Sequence, residues 1–221
     1  MVRFDELRGR RVLIVGGRQS AFEWAALLAD GDAEEIHIVH RHDPPAFAPA
    51  DWSFVDELMD LTANLPGWFR NLPAEEREAI ARRFWAEGRL KLEPWLTPRL
   101  QKPSVHRWPR ATVRGCRELP GGEIEAELCD RTRLLVDHLI LATGYKVDMT
   151  RVPYLAGIVD DLDLADGFPV LDEHFQTSLP GLFVTGFPAT RDFGPFFGFV
   201  RGCPVAATLT LAGLTEALDR I

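Results

Sequence analysis

Val12 to Ala29 reads VLIVGGRQSAFEWAALLA. An apolar run meets a glycine pair, and a helix is predicted over 20–29 because Ala21, Ala25 and Leu28 fall at helical spacing. A strand, a glycine turn and a helix together hold the pyrophosphate of a dinucleotide, since backbone N–H groups at the helix N-terminus point at the anion. The glycine-x-glycine-x-x-glycine/alanine pattern has Gly16 and Ala21 at its ends and Arg18 in the middle. A middle glycine lets the pyrophosphate approach the backbone. Arg18 therefore either obstructs that approach or folds outward and pairs with a phosphate through its planar guanidinium. Gly17, Gln19 and Ser20 complete the candidate phosphate turn.

Working outward, residues 11–15 form the strand before the turn, and Gly31 and Asp32 break the helix after it. Residues 35–40, EIHIVH, are β-branched and alternating, which predicts a second strand. Strand, helix and strand with tight connections make one right-handed crossover of a parallel sheet. His40 and Arg41 follow the second strand. An acidic residue there would suit the ribose hydroxyls of NAD, whereas an arginine suits the 2′-phosphate of NADP, so Arg41 favours NADP.

The next stretch departs from this alternation. RHDPPAFAPADW, residues 41–52, carries three prolines and is irregular. Helices are predicted over 51–64 and 73–87, the second with proline in its first turn, early acids and Gly88 as its stop. This block, about 45–103, reads as a helical insertion that could cover a ligand crevice, with Trp52, Trp68 and Trp85 packing it. Residues 112–119 and 123–128 flank a Pro120–Gly122 turn and predict a hairpin. After 133–136 comes DHLILATGY, in which 139–142 reads as a buried central strand. Another short buried strand is expected over 182–185, ending at Gly186, and a final helix over 205–219 opened by Pro204.

With 221 residues, 46% hydrophobic and 26% charged, the chain can bury a sizeable core. Its net charge of −8 without a long basic run argues against a nucleic-acid partner. Cys116, Cys129 and Cys203 form neither a closely spaced redox pair nor a metal cluster, so no metal site is expected. The cysteine usage and the lack of a long apolar stretch lead to the expectation of a cytoplasmic protein with no membrane partner.

The motifs resemble those of flavin-containing monooxygenases and related class B flavoproteins. VGGRQSAFEWA resembles their NADPH turn, LILATGY the hinge between their nucleotide domains, and TSLPGLFVTGF the strand beside their flavin. RDFGPFFGFVRGCP resembles the entry to the helix that faces the isoalloxazine ring. The resemblance implies NADP(H) and FAD as cofactors, with hydride passing from NADPH to FAD before oxygenation of a small substrate. It implies cofactor contacts at Ala142, Thr143, Gly144, Tyr145, Gly186, Phe187, Phe193 and Gly194, beside the turn residues, His40 and Arg41. No catalytic residue is assigned.

The chain departs from that family in two ways. It carries no second glycine turn for FAD, and no Phe-x-Gly-x-x-x-His motif precedes the NADPH turn. It thus reads as the C-terminal portion of such an enzyme. The expected fold is α/β: a Rossmann-like NADP-binding domain over 1–150 with a parallel sheet, a β-meander and the helical insertion, then the end of an FAD-binding domain over 151–221. A homo-oligomer or a partner chain is expected to supply the missing half, because unpaired edges and bare apolar surface are unfavourable. Three readings follow: a flavin- and NADPH-dependent oxidoreductase, an NADP-binding module without catalysis of its own, and an interaction protein that dimerises through its sheet edge.

Other candidates carry less. His106, His138 and His174 are scattered, and Asp160, Asp161, Asp163 and Asp166 lack the glycine and terminal glutamate of a calcium loop. The Phe193 to Phe199 stretch is either plain core or, given its interleaved glycines, backbone lying close to something flat.

Overall fold

In the computed structural model residues 4–219 are described, and the outermost ends of the two expected domains lie outside them. The principal elements in chain order are β1 (Arg11–Val15), α1 (Gln19–Asp30), β2 (Glu35–His40), α2 (Phe54–Asn64) and α3 (Ala74–Phe84). They continue with β3 (Val105–Pro109), β4 (Val113–Glu118), β5 (Ile124–Leu128), β6 (Arg133–Val136), β7 (His138–Leu141) and α4 (Cys203–Asp219). Two compact units are formed. Unit 1 comprises Met1–Ala50 and Ala86–Gly144, and unit 2 comprises Asp51–Trp85 and Tyr145–Ile221. The helical block expected over about 45–103 is thus divided, with α2 and α3 in unit 2.

Unit 1 is built on a four-stranded parallel sheet in the order β3-β2-β1-β7. Successive side chains of a strand point to opposite faces, so VLIV in β1 serves two cores at once. Val12 and Ile14 join Ile36 and Ile38 under Ala21, Phe22, Ala25 and Leu28 of α1. Leu13 and Val39 face the other way, onto Ala126, Leu128 and Val136 of the antiparallel sheet β4-β5-β6. Helix, parallel sheet and antiparallel sheet form three layers, which explains a continuous apolar run where a half-exposed strand would alternate.

The run LILA was expected to be a buried central strand over 139–142. The strand is His138–Leu141, and it pairs with β1 alone, at the edge of the described sheet. Leu141 is 69% exposed, and Ala142 lies past the strand with its N–H on the Val15 carbonyl at 2.8 Å. Ile140 and Leu139 each pack on one of the two cores, so the run is apolar without being central. Local sequence reports which faces are covered and says nothing about the second hydrogen-bonded neighbour.

Unit 2 is helical with an aromatic core. Phe175, Phe193, Phe196 and Phe197 pack with Phe54, Val55 and Met59 of α2, Phe84 of α3, and Ala206 and Leu209 of α4. Trp52 lies against Phe84 at 5.2 Å between centroids, and Trp68 Nε1 donates to Thr62 Oγ1 at 2.6 Å. Arg70 donates to the Leu171 carbonyl, whose own N–H donates to the buried Asp192 carboxylate at 2.9 Å. No strand forms over 182–185 among the described residues. The segment makes one antiparallel bridge, Gln176 to Phe183, flanked by Thr177 N–H to Leu182 O and Val184 N–H to Phe175 O. Helix α3 stops at Phe84 rather than Glu87, and a π turn, Trp85–Arg89, takes up Gly88. Helix α4 begins two residues before the expected 205.

Candidate functional site

In an open parallel sheet the ligand end is the crevice beyond the carboxyl ends of the strands. In unit 1 that end brings together the turn after β1, the loop after β2 and the segment after β7. The sheet's hydrogen bonds continue into it: Gly16 N–H donates to Val39 O at 3.0 Å and Ala142 N–H to Val15 O at 2.8 Å.

The glycine pair is squeezed from both sides. At Gly16, with φ +148°, a Cβ would lie 2.3 Å from the Ala142 carbonyl oxygen. At Gly17 it would lie 2.4 Å from the His40 Cβ. Both glycines are therefore demanded by the fold. Ala21 is fully buried where α1 packs on β1, which meets the small-residue requirement at the end of the pattern.

Arg18 caps α1 with φ −113° and ψ −176°, extended backbone that any residue adopts, so the turn has no conformational need for glycine there. Its side chain makes no cap hydrogen bond. The first N–H groups of a helix have no carbonyl behind them, and they remain the natural partners of an anion. Gln19 turns back along α1, its Nε2 donating to Glu23 Oε1 at 2.7 Å, and Ser20 is exposed.

His40 is buried at the end of β2, edge-on to Phe22, and its Nδ1–H donates to the His42 carbonyl at 2.9 Å. Burial first, then the charges of His42, Arg107 and Arg18, push its pKa below the ordinary histidine value, against the opposing hydrogen bond. The ring is neutral at pH 7, and the permanent charges acting on it are the guanidinium groups of Arg107 and Arg18. Arg41, beside it, is exposed. The loop is fixed from β3: Arg110 N–H donates to His42 O, Ala111 N–H to His40 O, and Arg110 Nε to Asp43 Oδ1 at 2.5 Å.

Sequence reasoning missed Arg107 and His42. Arg107 lies far along the chain, and only the β2–β3 register, Ile38 opposite Arg107 and His40 opposite Pro109, places it here. No local pattern signals that pairing.

The remaining expected residues are distributed as follows. In unit 1, Thr143 and Gly144 follow Ala142, and Gly144 has φ +87° with open space around it. In unit 2, Tyr145 is 94% exposed, Phe187 is half-exposed, and Gly186 faces open space at φ +79°. Phe193 is buried and stacked on Phe175 at 3.6 Å, so its ring packs the core and leaves no face for a ligand. At Gly194 a Cβ would meet the Phe196 ring at 2.6 Å. The flat object expected near these glycines is thus the protein's own phenylalanine. His106 stacks on His37 at 5.0 Å, His174 Nδ1–H donates to Leu209 O at 3.1 Å, and His138 is exposed on β7. The four aspartates at 160, 161, 163 and 166 are exposed, and no metal-ligating cluster exists among the described residues. Among those residues no helix is long and apolar enough to cross a membrane.

No family model matches the chain. A stretch of 54 residues is 43% identical to the ferredoxin--NADP reductase of Rhodospirillum rubrum, spanning 24% of this chain and 15% of that protein. Among solved structures, the ornithine N-hydroxylase of Kutzneria sp. 744, solved with reduced FAD, NADP+ and L-ornithine, matches 96% of this chain and 54% of its own at 17% identity, TM-score 0.68. The L-lysine 6-monooxygenase of Pseudomonas syringae matches over the same shares at 19% identity, TM-score 0.65. The thioredoxin reductase of Lactococcus lactis matches 96% of this chain and 55% of its own at 14% identity, TM-score 0.56. The fold is the Rossmann-like α/β fold of FAD- and NAD(P)-binding oxidoreductases, shared by monooxygenases and disulfide reductases alike. The chain spans about half the length of these solved structures.

Proposed function

We propose that unit 1 binds NADP(H) and that the chain serves as the nicotinamide-nucleotide part of a flavin-dependent oxidoreductase of monooxygenase type. The observation that carries this reading is the Gly16–Gly17 turn, held between Ala142 and His40, with the N-terminus of α1 and cationic side chains around it. The N–H groups of the first turn of α1 bind the pyrophosphate. Arg41 pairs with the 2′-phosphate, and Arg18 sits beside the phosphates. The bound nicotinamide would supply the hydride; this chain's residues bind and orient it. A second copy or a partner chain would supply the flavin half, and the oxidised substrate would be a small molecule. The ornithine N-hydroxylase and the L-lysine 6-monooxygenase among the solved structures support the monooxygenase type.

The fit to FAD is poorer. Among the described residues Val12 to Ala29 is the one strand–glycine turn–helix, and the Phe193 ring is occupied by Phe175. No flavin step is therefore derived for this chain. The same observation favours a second reading, an NADP-binding module without independent catalysis.

Titration of the purified chain with NADPH and NADH, followed by tryptophan fluorescence, tests the first claim. NADPH is expected to bind at least tenfold more tightly, a charge-assisted phosphate pair being worth about 1.5–3 kcal/mol. Arg41→Ala should weaken NADPH far more than NADH; equal weakening overturns the role of Arg41. A flavin absorbance band in the purified or FAD-supplemented protein supports the oxidoreductase reading, and a colourless protein that binds NADPH supports the module.

A further inference from the structure

The edge strand β3 contributes a residue to the nucleotide end of the sheet that the crossover motif does not contain. Arg107 pairs in register with Ile38, so its side chain leaves the sheet on the face that carries Ile38 and His40. His40 stands two residues further along β2, on the diagonal from Arg107. Such diagonal neighbours are about 7–8 Å apart at their backbones, within reach of a long side chain. Arg107 is exposed, and among the described residues its side chain makes no hydrogen bond or ion pair. By contrast, Arg110 on the same segment is tied to Asp43, and Arg99 and Lys102 to Asp30.

The loop carrying Arg41 does not move independently of this strand. Both His40 O and His42 O accept N–H groups from Ala111 and Arg110, the two residues just past β3. Arg41 is thereby bracketed between two residues whose backbone is bonded to the end of β3. The other charged and titratable groups acting on His40 are Arg18, the residue that caps α1, and His42 on the same loop, and neither is an acid. The carboxylate of Asp43 is engaged by Arg110. Arg41 on the β2 loop and Arg107 on β3 make no side-chain hydrogen bond or ion pair among the described residues. A dianionic group fits such a place, because each guanidinium meets phosphate oxygens with paired N–H donors.

We propose that Arg107 is a specificity-determining residue that clamps the 2′-phosphate of NADP(H) from the β3 side, opposite Arg41. This assignment rests on the NADP(H) reading of unit 1. It makes the preference for the phosphorylated cofactor a property of two neighbouring strands instead of one loop. It also explains why β3 resumes the parallel sheet after the helical block: the strand delivers a cation to the ligand end.

The test measures dissociation constants of the full chain for NADPH, NADH, 2′,5′-ADP and ADP, for wild type, Arg107→Ala, Arg107→Gln and Arg107→Lys. Arg107 is exposed, so the variants should keep the wild-type unfolding midpoint. Two substitutions of different shape guard against a folding artefact in either. The expected result is about tenfold weaker NADPH and 2′,5′-ADP in the alanine and glutamine variants, with NADH and ADP changed less than about twofold. Lysine should recover part of the loss. Wild type selective for NADPH, with the variants unaltered or weakened equally for all four ligands, overturns the clamp and leaves the NADP(H) reading standing. Wild type that binds none of the four overturns both.

Discussion

A β-carbon on Gly16 would come within 2.3 Å of the carbonyl oxygen of Ala142, the residue whose N–H closes the β1–β7 ladder on Val15. The turn is therefore a packing joint before it is a phosphate cradle. Gly16→Ala adds the clash to an unfavourable φ of +148°. We expect a loss of about 2–4 kcal/mol in unfolding free energy, as for other strained backbone sites in a packed environment. Urea denaturation of the variant without ligand checks it. A midpoint equal to wild type would show that Ala142 gives way easily and that Gly16 is retained for the ligand alone.

Much of unit 1 was legible for the same reason. Strand periodicity, the glycine pair and the alanine at 21 are local signals, and each reports one face of one element. The arginine at 41, directly after β2 where an NAD site would carry an acid, was equally readable. The edge position of β7 and the place of Arg107 were not, because both depend on which strands are neighbours, and pairing between distant segments leaves no local mark. The Phe193 to Phe199 stretch illustrates the converse. Its glycines did announce close approach to a flat surface, but a ligand and the Phe196 ring make the same demand on Gly194. The expected strand over 182–185 failed because an apolar run needs a partner, and here one bridge to Gln176 is what it has among the described residues.

At the opposite end of the sheet Arg11 and Asp137 form a closed pair. Arg11 N–H donates to Asp137 Oδ2 at 2.8 Å, and Arg11 Nη2 donates to Asp137 Oδ1 at 2.8 Å and to Glu123 Oε1 at 2.5 Å. The side-chain bond from Arg11 leads, with its backbone N–H, in holding the Asp137 pKa at about 2. A depressed carboxylate contributes stability that is complete above its unfolded value and is lost as pH falls through the folded one. Asp137→Asn should cost about 2 kcal/mol at pH 7, the scale of a charge-assisted hydrogen bond. It should also flatten the loss of stability that wild type shows from the ordinary aspartate range down to about pH 2. Thermal melts across that range read both; an unchanged acid slope would assign it to other carboxylates.

The two buried histidines give a separate window. Burial dominates the lowering of both His37 and His40. For His37 the Glu35 hydrogen bond opposes that shift and the charge of His106 adds to it. The unfolded chain binds protons at these sites more readily than the folded one, so stability rises with pH between their folded values and the ordinary 6.5. The melting temperature should be flat above pH 7 and fall as the solution is acidified below it. The double variant His37→Gln, His40→Gln should have a shallower fall over the same range. A wild-type profile level down to pH 5 would contradict the burial seen here.

Arg18 is decided by a pair of substitutions. The backbone at this position is extended, so alanine can replace arginine without strain, and glycine adds freedom the turn does not use. The guanidinium acts on His40 as a cation, which places its charge near the end of β2 and makes it an ally of Arg41 and Arg107. Arg18→Ala and Arg18→Gly should therefore both weaken NADPH by several-fold, with NADH weakened less if the contact is to the 2′-phosphate and equally if it is to the pyrophosphate. Glycine should be no better than alanine for binding and slightly worse for stability, since it loosens the N-terminus of α1. Tighter binding by both variants would mean that the side chain lies across the approach to the turn, and that the positive charge beside His40 serves some other anion.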